Sequence, residues 1–541
     1  MLHRFLLAAG LWSAALAAPA APEYDLVVYG GTASGVMTAI SAARQGASVA
    51  LIEPTGHLGG MVTGGLSATD FGRKEVVGGI AREFYRRLGK VYNEPITWYP
   101  EPHVAERVLN EMLKEPSVTV FLNSRLREKT GVEKDGKRIR SITMEDGRSF
   151  TARVFADCGY EGDLMAQAGV TYTWGREGQD EFGESLAGVR ERTPKHQFKV
   201  NVKARGADGK LLPEIQGTGK GVPGSADRKV QAYNFRLCMT TNKDNMVPFP
   251  KPPDYDPARY ELLARMIEAH VEKEGRPPRV RDLMHPFRIK GGKTDTNNNG
   301  AFSTDYIGGN WDYPDADYAT REKIWQEHYN YVAGFLWFLS HDERVPKELR
   351  DEMNRWGLAK DEFTDTNHWP RQLYVREARR MRGEYVMTQA DIQTSRTKED
   401  SIGMGSYNSD SHNVQRIENE QGFAENEGDM QVRVEPYEIP YRILLPKREE
   451  VENLLVPVTL SATHVAYSTL RMEPVYMIMG QAAGVAAQMA AERGIPVHDI
   501  DIRALQAVLR ASGGVLTYDE RMADEEAVPA GADNRQTTAV R

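Results

Sequence analysis

The sequence predicts an α/β fold, a parallel-sheet domain that opens the chain, gives way to a long insertion, and returns at the end. Three observations predict it. An apolar strand over Tyr24–Tyr29, a glycine turn, a small-residue helix over Gly35–Gln45 and a second strand over Ser48–Ile52 follow in order. Strand, helix and strand within about thirty residues form a βαβ unit, and uninterrupted apolar strands suit a sheet covered on both faces. From about Gly183 to Glu435 the rhythm fades and Asn, Asp, Tyr and Trp become frequent. A strand over Asn453–Val458 and a helix over Arg471–Arg493 then restore it.

The remaining elements follow from local signals. Gly46 closes the first helix, and Glu53-Pro54 stops the second strand. A glycine-rich stretch, Gly56–Gly79, precedes a helical pattern at Val104–Lys114 and a strand at Val118–Leu122. Asp135-Gly136 and Asp146-Gly147 read as hairpin turns. A strand over Ala152–Asp157 leads into Cys158–Asp163. Within the insertion, Asp256 caps a helix, Pro257 sits in its first turn and Gly275 ends it. Tyr260, Leu263, Ile267 and Val271 form its apolar face, and a second helix is expected over Ala319–Leu339. Thr294–Asn299 (TDTNNN) reads as a polar loop, and so does Gly217–Gly221, which no strand precedes. The expected division is 24–182 and 436–518 for the sheet domain and 183–435 for an α+β substrate region. A polar, disordered tail is expected over 519–541.

Bulk properties narrow the function. The chain has 541 residues and a net charge of −8, which argues against nucleic acid or an anionic membrane as partner. Two cysteines, Cys158 and Cys238, exclude a disulfide framework, leaving one bridge or two buried thiols. Arg4, the apolar run Phe5–Ala17 and the small residues Ala15–Ala20 read as a signal peptide over residues 1–20. Export to the periplasm or outside the cell is the expectation, with no integral membrane segment after cleavage. No His/Cys/Asp cluster has metal-ligand spacing, so no metal is expected.

The turn Gly30-Gly31-Thr32-Ala33-Ser34-Gly35 stands where a dinucleotide fold places GxGxxG. Such a turn aims the first amides of a helix at a pyrophosphate, and the helix dipole favours the anion. Thr32 replaces the second glycine, and its hydroxyl is a candidate phosphate contact. Glu53 lies 18 residues beyond Gly35, at the end of the next strand, where a carboxylate binds ribose hydroxyls. Pro54, Gly59, Gly60 and Met61 extend the motif. The run from Glu53 to Met61 resembles the acid-to-Gly-Gly extension of glutathione-reductase-type flavoproteins, and no second dinucleotide turn follows.

With these segments, Ala156–Gly169, Arg376–Tyr385, Gly405–His412 and Ser461–Ala490 resemble the broad FAD-dependent oxidoreductase family related to fumarate-reductase and glutathione-reductase flavoproteins. The resemblance implies a Rossmann-like FAD-binding domain of glutathione-reductase type with an inserted α+β substrate domain. It implies FAD as cofactor, with Gly159, Arg471 and Met472 among the binding residues. The C-terminal segment would then bring the flavin its last contacts. Pro474 starts a helix thinned by Gly480, Ala482, Ala483, Gly484, Ala486 and Ala487, which permits close packing. Some relatives tether FAD through histidine, so His57 has two readings, a covalent link or a hydrogen bond near the pyrophosphate.

A flavin oxidation needs a base and groups that hold the substrate. His464 and His412, the latter following Asp410, are the candidate bases. Arg376 and Arg379 are candidates for gripping a carboxylate substrate. Trp311 and Trp369, set among Asn and Asp, are candidates for stacking on a sugar. The expected activity is hydride transfer between flavin and a small polar substrate such as a sugar derivative, with an unidentified electron acceptor. A redox-neutral, flavin-assisted lyase or hydrolase on glycans, or a non-catalytic FAD-binding protein, are the competing readings.

Overall fold

The computed structural model describes residues 23–114 and 118–519. The expected signal peptide lies outside the described residues, as does the tail beyond Asp519.

The main sheet is built from β1 (Tyr24–Tyr29), β2 (Val49–Ile52), β3 (Val118–Phe121), β4 (Val132–Asp135), β5 (Arg138–Thr143), β6 (Ser149–Asp157) and β7 (Leu454–Leu455). Its order is β3-β2-β1-β6-β5-β4, and β7 runs parallel to β6 beside Phe155 and Ala156. β1 lies between β2 and β6 and is parallel to both, with Tyr29 opposite Ile52 on one side and Asp157 on the other. The carboxyl ends of three strands therefore meet at one point. The Gly30 N–H donates to Ile52 (2.8 Å), and the Cys158 N–H donates to Tyr29 (2.7 Å). The strand order reverses there, where open α/β sheets form a crevice. Gly136 and Gly147 take positive φ in the two hairpin turns, as Asp-Gly turns require.

Helix α1 (Ala33–Arg44) covers β1 and packs along α2 (Glu473–Arg493). A Cβ on Gly480 would stand 2.4 Å from the Ser34 carbonyl oxygen, and one on Gly484 would stand 2.2 Å from that of Thr38. The small residues of α2 are thus a requirement of packing. The helix expected over Arg471–Arg493 is continuous from Glu473, with Pro474 in its first turn, and extended Met472 separates it from a preceding two-turn helix over His464–Leu470. Proline has no N–H to continue the preceding helix.

The insertion holds a five-stranded antiparallel sheet ordered Met246–Val247, Gly357–Ala359, Leu237–Thr240, Lys293–Asn298, Met284–Arg288. The TDTNNN run, expected as a loop, is an inner strand of this sheet. Its polarity misleads because the polar groups find partners in the interior. Buried Asp295 receives two hydrogen bonds from Arg236, at 2.7 and 2.9 Å, and one from the Ala68 N–H. Gly217–Thr218, also expected as loop, forms a short strand beside Gln415–Glu418. The Asp256-capped segment starts as one turn of 3-10 helix and continues as Glu261–Glu274, ended by left-handed Gly275. The second expected helix spans Tyr318–His341. One apolar core runs from Leu26 and Val36 through Tyr233 and Phe335 to Met479, so the insertion and the sheet domain are packed as one body.

Cys158 and Cys238 are buried free thiols. Among the described residues, no helix is long and apolar enough to cross a membrane. Glu101, His103 and Glu362 converge as metal ligands would, but the Lys293 ammonium already stands among them, 2.8 Å from Glu101 and 2.6 Å from Glu362.

Candidate active site

The turn after β1 has no room for side chains. Gly30 takes φ +95°, and a Cβ there would lie 2.6 Å from the Gly159 nitrogen. A Cβ on Gly35 would lie 1.9 Å from the Gly30 carbonyl oxygen. Thr32 caps α1: its hydroxyl oxygen accepts from the Gly35 N–H (3.2 Å) and its proton goes to the Cys158 carbonyl (2.8 Å). The hydroxyl proton is thus engaged within the fold, while the residue itself lines the first cavity. Ala33 and Ser34 form the buried first turn of α1, which carries no acidic residue to oppose an anion.

Glu53 is fixed on both oxygens. One accepts from the Gly31 N–H (2.7 Å), the other from the Thr55 N–H (2.8 Å). Burial pushes its pKa up, while the bonds from Thr55 and Gly31 act against that rise. A cavity of about 320 Å³ passes over this carboxylate and is also lined by Gly30, Thr32, Pro54, Gly60 and Gly159. Gly31, Ala33, Ser34, Gly35, Gly59 and Met61 stand behind that wall, where Gly59 donates to Gly31 (2.7 Å) and Met61 to the Tyr160 hydroxyl (2.9 Å). A cradle that a Cβ would fill, a helix N-terminus and an acid at the next strand end fit an elongated dinucleotide.

A second cavity of about 370 Å³ is lined by Asp70, His196, Arg236, Asn298, Asp410 and His412, among others. The glycine-rich stretch joins the two cavities: Gly60, Thr63 and Gly64 line the first, and Ala68, Thr69 and Asp70 line the second. His412 is held from behind, with Nδ1 2.7 Å from Asp305 Oδ2. Arg376 holds the other Asp305 oxygen at 2.9 Å. Burial works to raise the Asp305 pKa, but Arg376 and His412 bring it down to about 2. Burial, and then the Arg376 charge, lowers the His412 pKa. That shift favours the neutral imidazole, the state a base requires. Burial and Asp410 raise Asp70 to about 6.

The other expected residues are placed differently. His464 lines neither cavity; its Nδ1 is 2.8 Å from Glu377, inside a buried network with Arg380 and Glu177. Arg376 lines neither cavity and serves Asp305 and the Ala232 carbonyl, which corrects its assignment to a substrate carboxylate. Arg379 is likewise occupied, by Asp163 (2.8 Å) and Asp315 (2.9 Å). Trp369 is buried edge-on against Phe235 and Tyr329 and is a core residue. Trp311 lines a third, open cavity with Trp174, its ring covered by Lys229 at 4.7 Å. Arg471 lines neither of the first two cavities; it donates to the Tyr374 hydroxyl (2.9 Å) and the Asp410 carbonyl (2.7 Å), while Met472 is buried beside it. His57 lines the first cavity with both ring nitrogens at carboxylates, Glu106 at 2.7 Å and Asp365 at 2.8 Å.

Sequence reasoning missed Asp305, His196 and Asp70. None belongs to a motif or a spacing pattern, so no local signal existed to find them.

The family described as FAD dependent oxidoreductase matches residues 25–509. No curated protein matches the chain. Among solved structures, similarity extends to the OxyS anhydrotetracycline hydroxylase of Streptomyces rimosus, at 14% identity and TM-score 0.23. It covers 31% of this chain and 40% of that one. T. acidophilum thioredoxin reductase matches at 19% identity and TM-score 0.17, over 25% of this chain and 34% of its own. Thermovibrio ammonificans THI4 matches at 17% identity and TM-score 0.22, over 28% of this chain and 66% of its own. Less than two thirds of each of these relatives is therefore spanned.

Proposed function

Because the chain belongs to the FAD-dependent oxidoreductase family, we propose that it oxidises a small polyhydroxylated substrate, a sugar derivative, held in the second cavity. One observation carries this reading: a single stretch, Gly60–Asp70, lines both cavities, so a dinucleotide held along the first would adjoin a pocket that offers His412 as a base. FAD, when bound, supplies the hydride acceptor. The chain supplies the rest. Asp305 at Nδ1 fixes the His412 tautomer and leaves Nε2 as the basic nitrogen that takes the substrate hydroxyl proton. Arg376 keeps Asp305 anionic, so the imidazolium formed in that step is stabilised. Asn298 and Asp410 offer acceptors to neighbouring hydroxyls.

Turnover then requires an electron acceptor from outside the chain. The leader-like start supports export, which N-terminal sequencing of the mature protein tests. The activity is tested by adding sugars anaerobically and following flavin absorbance. Lasting bleaching supports net oxidation, transient bleaching points to the redox-neutral cycle on glycans, and binding with no bleaching overturns the reading.

A further inference from the structure

Beside His412, two further imidazoles line the substrate cavity, His285 and His196, and the backbone of His196 is strained to put it there. It takes φ +49°, a left-handed conformation that costs a side-chain-bearing residue free energy. Such strain persists only where the surroundings over-determine it. Here they do. The His196 carbonyl accepts from the Asn426 amide (2.8 Å) and from the Asn413 amide (3.3 Å). Asn426 is itself locked: Arg416 donates to its side-chain oxygen (2.9 Å), and the Gln197 side chain bonds both its backbone N–H (3.0 Å) and its carbonyl (2.7 Å).

This clamp sets the His196 ring nearly parallel to that of His412, with planes 9° apart and centroids 6.2 Å apart. The Nδ1 of His196 is buried without a hydrogen-bond partner among the described residues, and the ring lines the cavity. Burial, and then His412, pushes its pKa down to about 4, so it faces the cavity uncharged. A neutral imidazole whose Nδ1 has no protein partner, held against strain beside the base, is suited to a neutral hydroxyl.

Resting on the reading that the second cavity holds a polyhydroxylated substrate, we propose that His196 binds the hydroxyl adjacent to the one His412 deprotonates, so that the site selects a vicinal diol. His412 Nε2 takes the proton of one hydroxyl; His196 hydrogen-bonds the neighbouring hydroxyl and transfers nothing.

The test uses His196→Asn, because asparagine tolerates the left-handed backbone and the variant keeps the clamp. His196→Gly, which relieves the strain altogether, is the second variant. Full-length holoenzyme is titrated with a panel of hexopyranoses and their monodeoxy counterparts, reading both the spectral shift on binding and the rate of bleaching. Both variants should raise the KM for the parent sugar about tenfold or more, with a smaller change in kcat. For one deoxy sugar, that lacking the adjacent hydroxyl, wild type and variants should bind within about twofold of each other. An equal loss on every sugar, or no loss on any, overturns the assignment while leaving the sugar oxidation standing. A wild-type enzyme that binds none of the panel overturns both.

Discussion

Asp305 stands between His412 and Arg376, 2.7 Å from the imidazole Nδ1 and 2.9 Å from the guanidinium, inside a buried wall of the second cavity. An anion in that position sets which imidazole nitrogen is free. Asp305→Asn would keep the shape and lose both the charge and the tautomer control. The rate of anaerobic bleaching should fall roughly 10²-fold or more, with flavin content unchanged. A rate within a few-fold of wild type would remove His412 from the mechanism.

Glu53 accepts one N–H on each oxygen, from Gly31 and Thr55. In Glu53→Gln the amide group must face one of those donors, which costs about 1–3 kcal/mol. FAD affinity should drop about tenfold to hundredfold, measured as the flavin-to-protein absorbance ratio after dialysis.

Gly484 is where α2 touches α1. In Gly484→Ala the new Cβ would lie 2.2 Å from the Thr38 carbonyl oxygen, a backbone atom that cannot swing aside. Overpacking of this kind costs about 1–3 kcal/mol, so the denaturant midpoint should fall. Gly217→Ala, at a site with nothing within 4 Å, should leave the midpoint unchanged and serves as control.

His57 bridges Glu106 and Asp365, and Arg371 binds the same two carboxylates. With both ring nitrogens engaged, no nitrogen remains to form a bond to the flavin. All the colour should therefore appear in the supernatant after acid precipitation. Colour in the pellet would require this ring of charges to open.

Glu473 is buried at the start of α2 and receives the Tyr160 hydroxyl proton at 2.7 Å, while its second oxygen has no partner. Burial raises its pKa to about 8, against the opposing Tyr160 bond. The folded state thus holds a proton that the unfolded chain loses above its ordinary carboxyl pKa. Between that value and about 8, stability should fall as pH rises, by at most about 1.4 kcal/mol per unit. Glu473→Gln should flatten the dependence of thermal midpoint on pH across this window.

The βαβ entry was legible in the sequence because its determinants are local. Gly30, Gly35 and Glu53 act through a turn, a helix end and a strand end within one contiguous unit, and the Gly480 and Gly484 spacing announces a helix that packs closely. The polar insertion was not legible in the same way. TDTNNN reads as loop until Arg236 is seen to neutralise Asp295, and Trp369 reads as a sugar platform until Phe235 and Tyr329 enclose it.

The sequence by itself determined the cofactor fold and the carboxylate that ends β2, since turn chemistry and periodicity act over a few residues. Only the tertiary structure decided the wall of the second cavity. His412 and Asp305 lie 107 residues apart, and Arg376 was drawn from substrate binding into their service. A buried charge takes whichever partner the fold brings within hydrogen-bond reach, and that partner leaves no mark on the neighbouring sequence.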